Sequence, residues 1–348
     1  MPLKLASEVG RIAEAGGIVA LVAVLPVIVG GWVLCRRSGR PFIPSWKPKQ
    51  AGWTVLDWVF LFFINSLFAL LFLQLLSKSG FFRAIYGQDF PSLPDLTDKA
   101  ANQLGGLWAQ MMAVPFVVGI GLAIRVFLHQ VPWTFDLRTI GSHIGFGALS
   151  ALIVTPFVYA VFVLALFVGE QLGDAAEDHP LSQLGAGTSF GEQLFFMVVV
   201  CGVVPLIEEF LFRGVLLRWA SSTWWKGAIL VGIAGVFAVQ PSLSNGLKPG
   251  PIVFVALLAV LYAIVIRYGR SVWHKFPTHT AGGILSTATL FAAVHSAVWP
   301  SPVPLFFLGC ALGYVVARSG GITAGVVLHG LFNAVSTVYL IRGGAGLG

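Results

Sequence analysis

Two adjacent carboxylates and an arginine interrupt an apolar run in the second half of the chain. Glu208, Glu209 and Arg213 follow a run that begins near Phe195. An ionisable residue within a membrane helix costs about 2.5 to 3.5 kcal/mol on insertion scales, so packing alone does not account for it. On a helix, Glu209 precedes Arg213 by one turn, the favourable order for an ion pair, whereas Glu208 points about 100° away. Glu208 is therefore a candidate general base. The alternative is that both acids lie at the membrane edge, paired with Arg213 and Arg218.

Two histidines and an asparagine occupy later apolar runs. His295 follows Phe291 by four residues, and His329 precedes Asn333 by the same interval. This interval places the imidazole of His329 and the carboxamide of Asn333 on one helix face. There Asn333 could fix the histidine tautomer or donate to an oxyanion, but such pairs also simply join membrane helices. Together with Glu208, these groups supply what peptide hydrolysis needs, namely activation of water and stabilisation of a tetrahedral oxyanion.

The elements that must position these residues are predicted to be membrane helices. Of the 348 residues, 57% are hydrophobic and 10% are charged, whereas soluble domains have about 25% charged residues. Runs long enough to cross about 30 Å of hydrocarbon recur along the chain, which predicts an all-α, polytopic transmembrane helix bundle. About ten spans begin near residues 17, 55, 107, 145, 193, 227, 251, 282, 303 and 321. Eight or nine result if the segment near 227 or 303 is re-entrant.

The basic residues indicate how these spans are oriented. With ten spans and both termini outside, most of the 21 Lys and Arg residues fall in inside segments, as the positive-inside rule requires. The net charge of +7 is thus a topology signal, and nucleic acid is not an expected partner. The lipid bilayer is, and in a prokaryote it would be the plasma membrane. The oligomeric state is not encoded in any pattern we recognise.

A polar, acidic and glycine-rich stretch divides the chain. Residues 169–189 contain no Lys or Arg, and we predict that they form a connecting loop. Residues 1–168 are predicted to hold N-terminal spans without a recognisable motif. Residues 190–342 hold every candidate residue and are predicted to form the catalytic core.

Three motifs in this order resemble the CAAX prenyl protease and bacteriocin-processing family of intramembrane proteases. They are Glu208-Glu209-x-x-x-Arg213, Phe291-x-x-x-His295 and His329-x-x-x-Asn333, each in an apolar run. The family includes type II CAAX endopeptidases and bacterial self-immunity proteins. The resemblance covers about residues 190–342 and implies an intramembrane endopeptidase that cleaves a peptide or membrane-protein substrate.

The resemblance also implies a role for each residue. Glu208 would activate a water together with His295, and His329 and Asn333 would hold the oxyanion. The supporting residues would be Glu209, Arg213 and Phe291. One departure is the interval from Arg213 to Phe291, which is longer than is usual in the family and holds two predicted spans, near 227 and 251. This departure puts the packing of the Glu208 helix against the His295 helix in doubt, although an inserted hairpin could lie at the periphery.

The cofactor and the function class keep alternatives open. Zinc or another divalent metal would be held by Glu208, His295 and His329, but no His-Glu-x-x-His motif occurs and a metal-free glutamate mechanism explains Glu208 equally well. The alternative function is a non-catalytic membrane scaffold or bacteriocin self-immunity protein of the same fold. A third class is a proton-coupled transporter, for which the ionisable residues should occur in both halves.

Overall fold

The computed structural model describes residues 2–44, 52–86, 99–129, 139–171, 190–245, 249–272 and 278–343. Within these ranges the chain forms helices and no strand, which confirms the all-α prediction. The predicted connecting loop at 169–189 lies almost entirely outside the described residues.

Fourteen α-helices follow one another along the described chain. They are α1 Pro2–Val19, α2 Leu25–Ser38, α3 Val55–Lys78, α4 Phe81–Tyr86, α5 Lys99–Ala123, α6 Ile140–Gln171, α7 Phe190–Val198, α8 Val204–Glu208, α9 Leu217–Ala220, α10 Trp224–Asn245, α11 Pro249–Val272, α12 Thr278–Ala293, α13 Pro302–Ser319 and α14 Thr323–Gly343. Four π-helical segments continue or join them: Ala20–Val24, Ile124–Leu128, Val199–Val203 and Glu209–Leu216.

Eight of the described helices are long and apolar enough to cross a membrane. They span Gly10–Ser38, Val55–Lys78, Gly105–Leu128, Ile140–Gly169, Phe190–Ala220, Gly250–Tyr268, Pro302–Ser319 and Thr323–Leu340. Two shorter helices complete the set: α10, with the apolar stretch Trp224–Gln240, and the less apolar α12, with 16 residues. The helices stand where the apolar runs predict them, so the chain is a polytopic helical bundle with eight to ten spans.

Local sequence signals set the ends of two of these helices. At the start of α3, the Thr54 hydroxyl accepts from the Asp57 backbone N–H at 3.2 Å, and the Asp57 carboxylate accepts from the Thr54 N–H at 2.7 Å. This capping box satisfies two backbone donors that the first turn leaves free. At the end of α13, Gly320 takes a left-handed conformation with φ of 73°, which only glycine adopts without a steric penalty.

One long helix runs through the interior of the bundle. Helices α7, α8 and α9 and the two π-helical segments between them form a continuous helix, Phe190–Ala220, which we call the site helix. It packs against α3 and α5 of the N-terminal part and against α12, α13 and α14. A single hydrophobic cluster includes Phe210 and Phe212 of the site helix together with Trp58 and Leu61 of α3. The N-terminal spans therefore contribute directly to the core that surrounds the site helix.

The two helices of the long interval between Arg213 and Phe291 do not separate the site helix from α12. Leu230 and Ala234 of α10 belong to the same core cluster as Phe291. The rings of Phe212 and Phe291 meet edge to face with centroids 5.3 Å apart. The doubt raised by this long interval is thus resolved, because α10 and α11 add to the bundle without parting the helices that carry the motifs.

Candidate active site

The first motif places an ion pair in the interior of the bundle. Arg213 donates through Nη1 to Glu209 Oε1 at 2.9 Å, and both side chains are fully buried. The guanidinium also donates to the Gly309 carbonyl at 3.4 Å and lies over the ring of Phe291, 4.5 Å from its centroid. Glu209 is therefore buried in the bundle and paired with Arg213, whereas Arg218 donates to the Gly320 carbonyl at 3.2 Å.

His329 on α14 lies between the two carboxylates of the site helix. Its Nδ1 is 3.1 Å from Glu209 Oε1, and its Nε2 is 3.6 Å from Glu208 Oε2. The His329 side chain is only 4% exposed, whereas that of Glu208 is 24% exposed. Because the Glu209 carboxylate accepts from Arg213, it can only accept from His329, so Nδ1 carries a hydrogen. The partner that fixes the orientation of His329 is therefore Glu209, and not Asn333.

Asn333 is held by a carbonyl that the site helix leaves free. Its Nδ2 donates to the Val200 oxygen at 2.8 Å. At the end of the π-helical segment Val199–Val203, the Val204 N–H pairs with the Val199 carbonyl, five residues earlier. The corresponding partner of Val200 would be Pro205, which has no N–H. The carboxamide thus satisfies an orphaned carbonyl, and its second N–H is left for another acceptor.

His295 lies in a turn and not on a helix, contrary to the expectation from its apolar run. Helix α12 ends at Ala293, because the N–H groups of His295 and Ser296 bond three residues back, at 3.1 Å each, and so tighten the chain. The Nδ1 of His295 is 2.7 Å from the Phe291 carbonyl. A carbonyl can only accept, so Nδ1 donates and the neutral ring keeps its lone pair on Nε2.

Phe291 is the point where the three motifs meet. Its ring centroid is 4.9 Å from that of His295 and 5.9 Å from that of His329, and Arg213 lies over its face. Among the described residues His295 makes no ion pair with either glutamate, so its link to the other candidates is this shared ring. The structure thus brings all the candidate residues to one region of the bundle, with His329 nearest to both carboxylates.

Two glycines of α14 allow the close approach that this region needs, and sequence reasoning missed both. A Cβ on Gly325 would lie 2.8 Å from Glu209 Oε2, and a Cβ on Gly330 would collide with the Cys201 carbonyl of the site helix. The spacing of small residues around His329 was the available signal, because glycine lets membrane helices approach closely.

The candidate metal ligands do not form a prearranged metal centre. Within the described ranges no group of three His, Cys, Asp or Glu side chains is placed to hold a metal ion. Glu208 and His329 face each other, but the Nδ1 of His295 is bonded to the Phe291 carbonyl. That bond leaves the Nε2 of His295 free, so Glu208, His295 and His329 remain the residues that would hold a divalent metal.

The fold and the site together define a class of protein: a multi-pass helical membrane protein with a buried site of carboxylates and imidazoles. Residues 190–282 and 274–335 match the family model described as Type II CAAX prenyl endopeptidase Rce1-like. The resemblance seen in the three motifs is therefore confirmed over the C-terminal region. No curated protein and no solved structure matches the chain. The C-terminal region is thus similar to the CAAX-protease type of intramembrane endopeptidase.

Proposed function

We propose that this protein is an intramembrane endopeptidase that hydrolyses a peptide bond with a water activated by Glu208. The observation that carries the proposal is the position of His329 between Glu208 and Glu209, with Arg213 completing the set of charges. Glu208 is the one member of this set that is partly exposed, which suits the group that would bind the water. The family match over residues 190–335 supports the same activity.

Each step of the proposed reaction uses a group that this chain holds. The Glu208 carboxylate takes a proton from water as the water oxygen attacks the scissile carbonyl carbon. The lone pair on Nε2 of His295 makes it the second acceptor for that water. The protonated Glu208 then returns the proton to the leaving amine when the carbon–nitrogen bond breaks.

The negative oxygen of the tetrahedral intermediate needs donors that are already in place. His329, with Nδ1–H bonded to Glu209, can donate through Nε2 in its protonated form, and Asn333 has a second N–H beyond the one bonded to Val200. Preorganised donors of this kind contribute about 3 to 4 kcal/mol each to stabilisation of the transition state. Glu209 and Arg213 act through His329, as positioning residues, and Phe291 supports all three neighbours.

The proposed substrate is a peptide or a membrane-protein segment, because the site lies inside a bundle whose outer surface is apolar. Large exposed side chains such as Phe63, Leu70 and Phe127 cover the spans, which suits a surrounding of lipid. The proposed reaction needs no metal or other cofactor.

The test compares Glu208→Gln with the wild-type chain in proteoliposomes that contain a quenched peptide library. Loss of the general base should lower kcat by about a hundredfold to ten-thousandfold. Glu192→Gln is the matched control, because Glu192 lies at the start of the same helix, and it should cleave at the wild-type rate. A wild-type chain that cleaves nothing, or a Glu208→Gln variant that cleaves equally well, would leave the non-catalytic scaffold as the better function.

A further inference from the structure

We infer that Tyr159, on α6 and outside the region that carries the motifs, is a positioning residue for the proposed site; the inference rests on the proposed function. The Tyr159 hydroxyl lies 2.6 Å from Ser336 Oγ on α14. Its ring stacks on Phe332 with centroids 5.4 Å apart and an interplanar angle of 28°. One side chain of the N-terminal spans thus holds α14 by both a hydrogen bond and a ring contact.

The residues that Tyr159 holds lie on the same part of α14 as the site residues. Phe332 is adjacent to Asn333, and Ser336 follows His329 by seven residues, or about two helical turns. His329 and Ser336 therefore point in nearly the same direction. A slide or rotation of α14 that moved the imidazole would also break the bond between Ser336 and Tyr159.

Contacts with the site helix show why the register of α14 must be fixed. The site helix bonds α14 at two levels, through Glu209 to His329 at 3.1 Å and through Val200 to Asn333 at 2.8 Å. Helix α6 approaches α14 at two levels as well, through Gly147 against the backbone of Ala324 and through Tyr159. Both α6 and the site helix therefore hold α14 at two levels along its length.

The hydroxyl of Tyr159 matters because lipid offers no substitute for its partner. In hydrocarbon no water replaces a lost hydrogen bond. With phenylalanine at position 159, the partner that remains for Ser336 is therefore the backbone of its own helix. Ser336 already lies 3.5 Å from the Phe332 carbonyl. Misplacement of a reacting group by 1 Å can cost about a hundredfold in rate, so a small shift of α14 is enough to reduce turnover.

The experiment measures kcat and KM separately for Tyr159→Phe, Ser336→Ala and the double variant in proteoliposomes. We expect kcat to fall by about tenfold to a hundredfold while KM changes by less than about twofold. The double variant should lose no more than either single variant, because both remove the same bond. Glu208→Gln is measured in parallel as the reference for loss of the reaction.

Tyr262→Phe is the matched control, because it makes the same chemical change at a similar helix contact. The Tyr262 hydroxyl of α11 donates to the Trp224 carbonyl of α10, and neither helix carries a site residue. It should lower the thermal unfolding temperature in detergent about as much as Tyr159→Phe does and leave kcat unchanged.

Three outcomes decide the inference. A fall in kcat that both single variants share and the double variant does not deepen supports it. Wild-type kcat in Tyr159→Phe, beside an inactive Glu208→Gln, overturns it and leaves the proposed function standing. If Tyr159→Phe does not fold, Ser336→Ala decides the question in the same way. Absence of any cleavage dependent on Glu208 refutes the proposed function itself, and the inference falls with it.

Discussion

Arg213 is tolerated inside the bundle because three groups surround its guanidinium. Glu209 accepts at 2.9 Å, the Gly309 carbonyl at 3.4 Å, and Phe291 offers its ring face at 4.5 Å. A buried ion pair of this kind is weak support for stability, since desolvation of both charges offsets their attraction. Its value for the proposed reaction is instead that it orients the Glu209 carboxylate as the acceptor for His329.

Removal of one charge of this ion pair should therefore lower the free energy of unfolding much more than removal of both charges. Arg213→Leu leaves Glu209 buried without a counter-charge and should lower the free energy of unfolding by about 3 to 5 kcal/mol. The combination Arg213→Leu with Glu209→Leu should recover much of that loss, yet remain inactive because His329 has lost its acceptor. Thermal unfolding in detergent and turnover on the peptide library measure the two effects.

Arg267→Leu provides the control for loss of an arginine as such. Arg267 is exposed on α11, and its replacement should change neither quantity measurably. Recovery of turnover in the double variant would contradict the role given to Glu209, and a stable Arg213→Leu single variant would contradict the energetic argument.

At the scale of elements, the approach of α14 to the site helix sets the geometry. Gly330→Ala places a methyl group against the Cys201 carbonyl, and a backbone atom cannot turn aside as a flexible side chain can. We expect α14 to move outward, which lengthens the contact between His329 and Glu208. Turnover should fall by about tenfold or more, and the unfolding temperature should fall with it.

Gly202→Ala is the matched control, because Gly202 lies on the site helix itself and a Cβ there meets nothing within 4 Å. Glycine within a helix costs about 0.5 to 1 kcal/mol relative to alanine, so this variant should be as stable as the wild type or slightly more stable. Equal behaviour of the two glycine variants would show that close packing at Gly330 is not required.

The hydropathy of the sequence predicts the helices well, because length and apolar content decide whether a segment can span a bilayer. The spacing of Glu209 and Arg213 also predicts their ion pair, since the two residues lie one helix turn apart. The end of α12 before His295 was not predicted, because the apolar run continues through residues that the backbone arranges as a turn. The bonds from Tyr159 to Ser336 and from Asn333 to Val200 join distant positions, and no local pattern encodes them.

The hydrogen bond between Asn333 and the π-helical segment could be predicted only in part. Pro205 inside an apolar run was a visible sign that a carbonyl one turn earlier would lack its partner. The identity of the donor that replaces that partner, Asn333, depends on the packing of two helices and required the structure. The sequence thus predicted the residues of the proposed site, and the structure supplied their pairings.

At the scale of the whole molecule, the N-terminal spans and the C-terminal region share one core. Trp58 of α3 meets Phe212 with ring centroids 5.9 Å apart, and Phe212 in turn meets Phe291. Through Tyr159, α6 also holds α14. The region outside the family match is therefore part of the packing that surrounds the proposed site, although it contains none of the motifs.

Whether α10 crosses the membrane can be decided at the end of α11. If α10 crosses the membrane, Ser271 lies on the same side as Ser222 at the end of the site helix; if only the eight long helices cross, it lies on the opposite side. We expect the same side. The 22 residues of α10 extend about 33 Å, enough for about 30 Å of hydrocarbon, and Arg267 and Arg270 favour the inside.

The measurement is labelling of single cysteines with a membrane-impermeant thiol reagent, in a chain whose Cys35, Cys201 and Cys310 have been replaced by serine. Cysteines introduced at Ser38, the last residue of α2, and at Ser79, which directly follows α3, define the two faces of the membrane. With ten crossings, Ser38→Cys, Ser222→Cys and Ser271→Cys share one side and Ser79→Cys the other. Labelling of Ser271→Cys together with Ser79→Cys would instead show that α10 does not cross the membrane.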